Sequence, residues 1–373
     1  MKFEIEIITP TLIKSQNSAY PFEIFRGKDG KLLLIDSFRI LELISDIQSK
    51  NSKNAEINEP ADFNDFKAVI DKLLEFKKNA QSNDRIEYMK DLEDEMNKFY
   101  NKYSDIIGDA LILDKIDDLM QNDESYLRTF EIFYPINYGG GNNSVYLPGS
   151  SVKGSLISAL FHRYKREWQC NNKIEFLYGH RDKSIDSSLR DIGSLIQVDD
   201  FIPKGEIKLG LIKIQRESIK RGKQNKKGIF QYIIAITSGK FVGDISFNWQ
   251  NYDRIINRIK KDYNHGKDEN DFLEILKCGL KIGSLNPRNR NEMENLVIKG
   301  LVNLSRDYMI EAKRKIDEYK LIMDLDIRTN FTIGAYRGAL LMGIDKYFRS
   351  PPETIFKFEN KILGQVKLEV IQG

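Results

Sequence analysis

The sequence predicts an α+β fold for its 373 residues, on three observations. Apolar and charged residues alternate at both ends of the chain, at 3–7 and again at 361–370, which is typical of half-buried strands. Apolar residues recur every three or four positions over 89–103, which is typical of one face of a helix. A junction between a strand and a helix is predicted at 145–156, in the middle of the chain.

Composition and charge limit the kinds of function. With 41% hydrophobic residues the chain can bury a real core, and its length allows two domains of ordinary size. The net charge is only +3, so any nucleic-acid surface must be a local patch. The two distant cysteines, Cys170 and Cys278, argue against a disulfide framework or a zinc site. Without a signal-peptide pattern or a membrane-length apolar run, we expect a soluble, cytoplasmic protein that uses no membrane.

The junction at 145–156 is the strongest candidate for a functional site. A short apolar strand ends at Pro148, a Gly-Ser-Ser turn follows, and a helix begins that Ser150 or Ser151 can cap. The buried face of this helix is predicted to contain Val152, Leu156, Leu160 and Tyr164. The amides of a helix N-terminus, next to small residues and Lys153, form a good phosphate site. An ordinary capped junction is the alternative, and a Walker loop is excluded because its Gly-Lys-Ser/Thr ending is missing.

The densest basic run of the chain, at 216–228, lies between predicted strands at 206–215 and 229–237. Two strands that flank a basic, glycine-containing loop predict a β-hairpin with a charged, mobile tip. Phosphates are its natural partner, and a solvated loop is the alternative. The candidates for RNA binding in this run are Arg216, Lys220, Arg221 and Lys223.

The other elements follow in order from the same patterns. Strands are predicted at 31–36, 194–198 and 244–247, and polar loops at 11–20 and 45–58. Helices are predicted at 38–47, 253–261, 271–280 and 292–319. From 63 to 124 the pattern is helical, with an apolar stripe of Met89, Leu92, Met96, Phe99 and Tyr103. The opposite faces are acidic, so this segment is predicted to be a helical insertion that avoids phosphates. Its apolar stripe is predicted to face the core, and docking of a partner is the alternative.

Few residues suggest metal or acid–base chemistry. The three histidines His162, His180 and His265 lie far apart and none has metal-ligand spacing, so we expect no metal and no other cofactor. Asp199 and Asp200 follow a predicted strand, where adjacent side chains point to opposite faces, and we interpret them as structural.

The segment Leu-Pro-Gly-Ser-Ser-Val-Lys-Gly-Ser-Leu at 147–156 resembles the signature of the CRISPR RAMP superfamily. In that family it opens a helix of a ferredoxin-like domain and lies against the guide RNA. The resemblance implies two ferredoxin-like (RRM-like) halves, at 1–205 and 206–373, with the helical insertion at about 45–125. It implies RNA contacts from Gly149, Ser150, Ser151, Lys153 and Gly154. The basic hairpin is similar to the RAMP thumb, which reaches over the guide RNA and interrupts the guide–target duplex.

Both ends of the chain resemble one branch of that superfamily, the subunit that caps the type III-A Csm backbone (Csm family subunit five). The C-terminal segment is similar to the closing Leu-Gly-Trp-hydrophobic-Lys-Leu of that branch, with Gln365 in place of Trp. After the first turn the chain has Leu-Ile-Lys-Ser-Gln at 12–16, where the branch has His-Ile-Gly-Ser-Gly. The second glycine-rich loop of the family is partly matched at 331–338. This match implies RNA contacts from Gly334, Tyr336 and Arg337, with a turn before a helix as the alternative.

The resemblance implies a non-catalytic subunit that binds CRISPR RNA (crRNA) near its 3′ end and caps a type III effector backbone in antiviral defence. Its partners would be CRISPR RNA, target RNA and the RAMP backbone subunit, with host nucleases as further candidates. Base pairing would read the sequence, so the protein needs only backbone contacts. RAMP subunits that cut target RNA use an Asp in the first glycine-rich loop, and 14–20 contains none. Two alternatives remain: a RAMP-type endoribonuclease with His162 as general base, and a subunit of a type III-B (Cmr) complex.

Overall fold

A computed structural model describes most of the two ends and the middle of the chain. The described residues are 1–19, 24–26, 32–35, 112–119, 132–135, 145–167, 193–220, 223–261, 269–283, 285–286, 288–335 and 354–372, with some helical residues between 67 and 98. In this part of the chain a six-stranded sheet and a nine-stranded sheet occur together with several helices. The α+β prediction is therefore confirmed.

The strands and the long helices are numbered here in chain order. The strands are β1 (Lys2–Ile7), β2 (Lys14–Ala19), β3 (Ile24–Arg26), β4 (Leu32–Ile35), β5 (Ile112–Asp118), β6 (Ile132–Pro135), β7 (Ile196–Val198), β8 (Ile202–Pro203), β9 (Lys208–Lys220), β10 (Lys223–Ser238), β11 (Lys240–Phe247), β12 (Phe331–Thr332), β13 (Thr354–Phe358), β14 (Lys361–Ile362) and β15 (Gln365–Gln372). The helices are α1 (Gly149–Glu167), α2 (Trp249–Lys261), α3 (Glu269–Leu280) and α4 (Arg290–Glu318).

The smaller sheet has the strand order β12-β15-β1-β11-β7, with β8 also paired to β11. All of its pairings are antiparallel. The alternation predicted at 3–7 is confirmed, because Phe3, Ile5 and Ile7 of β1 face the main hydrophobic core. On that side α1 packs against β7, and α4 packs against β11 and against α1. One face of the sheet thus forms the core with the helices.

The opposite face of the smaller sheet carries paired charges. Glu4 of β1 is only 10% exposed and accepts hydrogen bonds from the Nζ atoms of Lys204, at 2.8 Å, and Lys240, at 2.7 Å. On β15, Lys367 forms an ion pair of 2.7 Å with Glu369. These pairs neutralise the charges on this face locally.

The larger sheet has the order β2-β6-β10-β9-β5-β4-β3, and β13 joins β9 while β14 joins β13. It is mixed, because β6 runs parallel to β10 and β5 runs parallel to β9. A second cluster of buried side chains lies on it, namely Leu12, Ile212, Ile214, Ile233, Ala235 and Leu363. The β9–β10 hairpin is the longest feature of this sheet and confirms the predicted hairpin.

Outside the strand-to-helix junction and the hairpin, three predictions of local structure were wrong. The predicted loop at 11–20 contains β2, which pairs with β6 and buries Ala19. The helical prediction for 63–124 fails over β5, because Ile116 is fully buried between the neighbouring strands β4 and β9. The predicted terminal strand at 361–370 is two strands, since Gly364 adopts a positive φ of 74° and turns the chain between them.

Other predictions are confirmed or fall outside the described residues. Helices α2, α3 and α4 and strands β4, β7 and β11 agree with the predicted elements. Leu92 of the predicted apolar stripe lies in a helical segment and is fully buried. The helix predicted at 38–47, the loop at 45–58 and the other four residues of the stripe lie outside the described part. The boundaries of the two halves, their ferredoxin-like detail and the insertion as a unit stay predictions.

The pairing of Glu4 predicts a pH-dependent contribution to stability. Hydrogen bonds from Lys204 and then Lys240 hold the pKa of Glu4 below its ordinary value of 4.5. A lowered folded-state pKa stabilises the fold above the unfolded value, and this stability is lost as the pH falls through the folded value. We expect Glu4→Gln to lower the free energy of unfolding at neutral pH by about 1 kcal/mol, because the lysines are half exposed.

Urea denaturation of both proteins between about pH 7 and pH 3 measures this effect. The difference between wild type and Glu4→Gln should shrink as the pH falls below the ordinary pKa of the carboxyl group. A difference that stays constant over the whole range would contradict the assignment.

Candidate nucleic-acid interface

The predicted strand-to-helix junction is present, and it is anchored from both sides. Leu147 and Phe201 exchange two backbone hydrogen bonds of 2.9 Å, and both side chains are fully buried. Helix α1 begins two residues later, at Gly149. Val152, Leu156 and Leu160 are buried, which confirms the predicted face, while the side chain of Tyr164 lies outside the described residues. The start of α1 is therefore fixed to the smaller sheet.

Gly149 occupies a position that excludes a side chain. A Cβ atom there would lie 2.1 Å from the carbonyl oxygen of Val198 and 2.7 Å from that of Asp199. Both atoms belong to the backbone at the end of β7, so neither can move aside easily. Close packing of the helix against this strand explains the glycine without any ligand.

The predicted serine cap was wrong, because α1 already includes Ser150 and Ser151. Instead, the Gly149 amide donates to Oδ1 of Asp200 at 2.8 Å. The amides of Ser151 and Val152 donate to the Pro148 carbonyl at 2.9 and 3.3 Å. Three of the first four helix amides thus have acceptors within the protein, and the Asp200 carboxylate lies at the positive end of the helix dipole. This bond confirms the structural interpretation of Asp200 and leaves little room for a phosphate on the amides.

One turn further along α1, Lys153 and Gly154 have a different environment. Lys153 is half buried, and burial lowers the pKa of its ammonium group. In the part of the chain that the structure describes, no carboxylate pairs with it. Gly154 is exposed, and a Cβ atom built there would meet nothing within 4 Å. An exposed glycine inside a helix costs roughly 0.5–1 kcal/mol relative to alanine, and packing against the described residues does not explain it.

The hairpin extends further than predicted. Strands β9 and β10 continue into the basic run and leave only 221–222 between them, so the loop predicted at 216–228 was wrong. Strand β13 pairs with β9 from Gln215 to Ser218 and supports it from the side. Among the described residues, this support of β9 ends at Ser218, whereas β10 pairs with a third strand, β6, at Ile233. The strands of the hairpin thus occupy most of the run that was predicted to be a loop, and the mobility of its tip stays a prediction.

The basic candidates lie on or next to this tip. Lys220 and Lys223 are directly opposite each other in the strand register, a pairing of like charges that destabilises a bare hairpin. Arg216 is exposed, and its guanidinium carbon lies 5.9 Å from the centre of the Phe356 ring. The side chains of Lys220 and Lys223, and Arg221 as a whole, lie outside the described residues. The register alone therefore brings at least two cations together at the tip.

The second glycine-rich segment packs against the N-terminal segment. Gly334 has a positive φ of 89°, and a Cβ atom there would lie 2.6 Å from the carbonyl oxygen of Leu12. The amide of Ala335 donates to the same oxygen at 2.7 Å. This packing accounts for the glycine. Its RNA contact stays a prediction, and Tyr336 and Arg337 lie outside the described residues.

One candidate on the hairpin was missed from the sequence. Phe230 of β10 is 50% exposed, and Nζ of Lys213 lies 4.9 Å from its ring centre. The same Nζ atom lies 5.6 Å from the ring centre of Tyr232. An exposed aromatic ring beside a cation can stack on a base while the cation attracts the backbone. The alternation at 229–237, with an aromatic residue at an outward position, was the available signal.

The described residues contain no group of three His, Cys, Asp or Glu side chains that could hold a metal ion. His162 lies on α1, but its side chain is outside the described part, as are His180 and His265 entirely. Of the helices in the described ranges, none has the length and apolarity needed to span a membrane.

Comparisons with known proteins identify a family and a structure with a similar fold. The model of the RAMP superfamily matches residues 4–340. A chain from a cryo-EM structure of a type III-A CRISPR–Cas Csm–crRNA–target RNA ternary complex is 14% identical, with a TM-score of 0.58, and the alignment covers 99% of this chain and 100% of that one. A crystal structure of Csm5 from T. onnurineus is 12% identical with a TM-score of 0.45, over 98% and 99% of the two chains. A search of curated proteins found no match.

The two glycines of α1 predict opposite effects of the same substitution. Gly149→Ala should destabilise the protein by several kcal/mol, because the new methyl group meets two carbonyl oxygens. Gly154→Ala should stabilise it by about 0.5–1 kcal/mol, because the methyl group enters open space and alanine favours a helix.

Thermal unfolding of the two variants beside the wild type measures both effects. The midpoint should fall for Gly149→Ala and rise for Gly154→Ala. Equal shifts in the same direction would show that the start of α1 is not seated on the end of β7 in the way described.

Proposed function

Because the chain belongs to the RAMP superfamily, we propose that it is a non-catalytic RNA-binding subunit of a cytoplasmic type III CRISPR effector. It binds crRNA near the 3′ end and caps the backbone of a type III-A complex, next to a RAMP backbone subunit and the target RNA. The similarity at both chain ends to the subunit that caps the Csm backbone supports this place in the complex. The fold shared with a chain of a Csm–crRNA–target RNA structure is compatible with it.

The observation that carries the proposal is the half-buried Lys153 beside the open position at Gly154. Partial burial penalises the charged amine, and no carboxylate of the described residues compensates for it. A phosphate at this place would supply the missing negative charge. The absence of a side chain at Gly154 would let a ribose-phosphate strand approach the helix closely. Since Asp200 already occupies the Gly149 amide, phosphate binding depends on the Lys153 side chain more than on the helix amides.

The hairpin tip supplies the second contact. Lys220 opposite Lys223 is unfavourable in the free protein, so a polyanion that binds between them removes a repulsion as well as adding an attraction. Support of β9 by β13 reduces the entropy that the hairpin would lose on binding. Phe230 and Lys213 extend the contact along one face of the hairpin.

The charged outer face of the smaller sheet is an argument that the protein does not read the bases of the RNA. RRM domains stack bases on aromatic residues of the sheet surface. Here that face carries Glu4 held by Lys204 and Lys240, and a further pair on β15. Such a surface neither stacks bases nor attracts phosphates, so the protein grips the strand and leaves its bases free for pairing with target RNA.

Charge reversal at three candidate cations tests the function. In the full-length chain, Lys153→Glu, Lys220→Glu and Arg221→Glu together should weaken crRNA binding by about 100-fold or more at physiological salt. Each phosphate contact to single-stranded RNA contributes about 0.7 to the slope of log K against log salt, so the slope should decrease by about 2. Fluorescence anisotropy with labelled crRNA over a salt series measures both quantities.

A charge-matched control is available on α4, where Lys299, Arg306 and Lys313 are exposed. Their combined reversal changes the net charge equally and should reduce affinity far less. Equal losses in the two triple variants would contradict a localised interface. Cleavage of the crRNA by the wild-type chain during the same incubation would contradict the non-catalytic assignment.

A further inference from the structure

One exposed ring distinguishes the β9–β10 hairpin from the rest of the described surface. Among the large hydrophobic residues that are exposed in the described part of the chain, Phe230 is the only aromatic one, at 50%. The other seven are leucine, isoleucine or valine. A nucleobase stacks on a flat ring, and the aliphatic residues do not offer one.

Phe230 continues the buried face of the hairpin past the edge of the main core. Alternate residues of a strand share a face, so Phe230 lies on the same face as Tyr232 and Ile234. Ile234 is fully buried, Tyr232 is 7% exposed, and both belong to the main hydrophobic core. The exposed ring is therefore the next group outward from a packed surface.

A cation of the same chain lies over one face of this ring. Nζ of Lys213 is 4.9 Å from the ring centre of Phe230 and 5.6 Å from that of Tyr232. Lys213 is directly opposite Tyr232 in the strand register, so the ammonium group lies beside both rings. Because Phe230 is half exposed, the other face of its ring is the one that a base can reach. The ammonium group would then attract the phosphate of the nucleotide whose base is stacked.

The backbone that carries the ring is part of a wider sheet. Phe230 is directly opposite Gln215 of β9, and Gln215 is directly opposite Lys357 of β13. Lys357 is only 6% exposed. This row across three strands holds the ring in place before any ligand arrives, so little conformational freedom is lost when a base binds.

The ring and the basic tip lie on the same hairpin. Along β9, Gln215 and Lys220 are five residues apart, which corresponds to roughly 17 Å at the rise of a β-strand. An extended RNA strand of a few nucleotides can span this distance. A strand whose phosphates lie at the tip can therefore place one of its bases on Phe230.

We propose that Phe230 is a stacking site for one unpaired nucleobase of the bound RNA, and that Lys213 holds the phosphate of that nucleotide. The inference rests on the proposed function and deepens it, because that function otherwise uses contacts to the RNA backbone. Every base has a π face, so stacking tolerates any sequence. Such a contact suits a subunit that must hold guides of different sequence.

Two substitutions of Phe230 in the full-length chain test the site. Phe230→Leu should weaken the binding of single-stranded crRNA by about tenfold, because the stacking on one base is lost. The slope of log K against log salt should stay unchanged, since no cation is removed. Phe230→Trp is the matched control, because it keeps a ring and should keep wild-type affinity. Fluorescence anisotropy over a salt series measures affinity and slope, and thermal unfolding shows that both variants fold.

Removal of the base tests the same contact from the side of the RNA. In a set of crRNAs that each lack one base, one position should bind the wild-type chain about tenfold more weakly than intact crRNA. Phe230→Leu should bind that crRNA and the intact crRNA equally, because the two changes remove the same interaction. Losses of equal size in both proteins at every position would overturn the inference.

Unchanged affinity of Phe230→Leu would also overturn it, as would a loss of the same size with Phe230→Trp. If the triple charge reversal at Lys153, Lys220 and Arg221 still weakens binding in that case, the proposed function stands and the stacking site alone is wrong. A wild-type chain that does not bind crRNA would contradict both.

Discussion

The close seat of helix α1 on the end of β7 is the constraint on which the rest of the structure depends. Gly149 lies so near the carbonyls of Val198 and Asp199 that only hydrogen fits there, and Asp200 fixes its amide. The two hydrogen bonds between Leu147 and Phe201 hold the preceding residues to the same sheet. Because α1 is fixed at its first residue, the backbone position of Lys153, one turn later, is fixed as well. The glycine and the carboxylate therefore position Lys153, the residue to which the proposed function assigns phosphate binding.

Paired and unpaired charges lie on different parts of the described surface. The net charge is only +3, yet Lys220 and Lys223 occupy opposite positions in the register of the hairpin. Lys153 has no carboxylate partner among the described residues. On the outer face of the smaller sheet the opposite holds, since Glu4 is bound by two lysines. The cations that the proposed function assigns to RNA binding thus lie at two places, on α1 and on the β9–β10 hairpin.

Local pattern predicted the elements whose contacts are local, and it failed where distant pairing decides the structure. The alternation of β1 and the long helix α4 could be read from sequence, as could the junction at 147–156. Strand β5 could not, because its acidic residues resemble a helix surface and only burial of Ile116 between β4 and β9 makes it a strand. The amide of the first residue of α1 is capped by Asp200, which is 51 residues away in the sequence, so no local motif could predict this cap. The motif located the junction at 147–156, whereas the alternation at 229–237 placed Phe230 on a strand but did not show its contact with Lys213 on the neighbouring strand.

The central claim is that the α1 turn and the hairpin tip hold the same RNA strand. Ultraviolet cross-linking of the full-length chain to crRNA, with peptides identified by mass spectrometry, tests it most directly. The account predicts cross-links to peptides that contain 149–154 and 216–230, both obtained from a single RNA-bound species. Cross-links confined to the outer face of the smaller sheet, or to only one of the two segments, would contradict it.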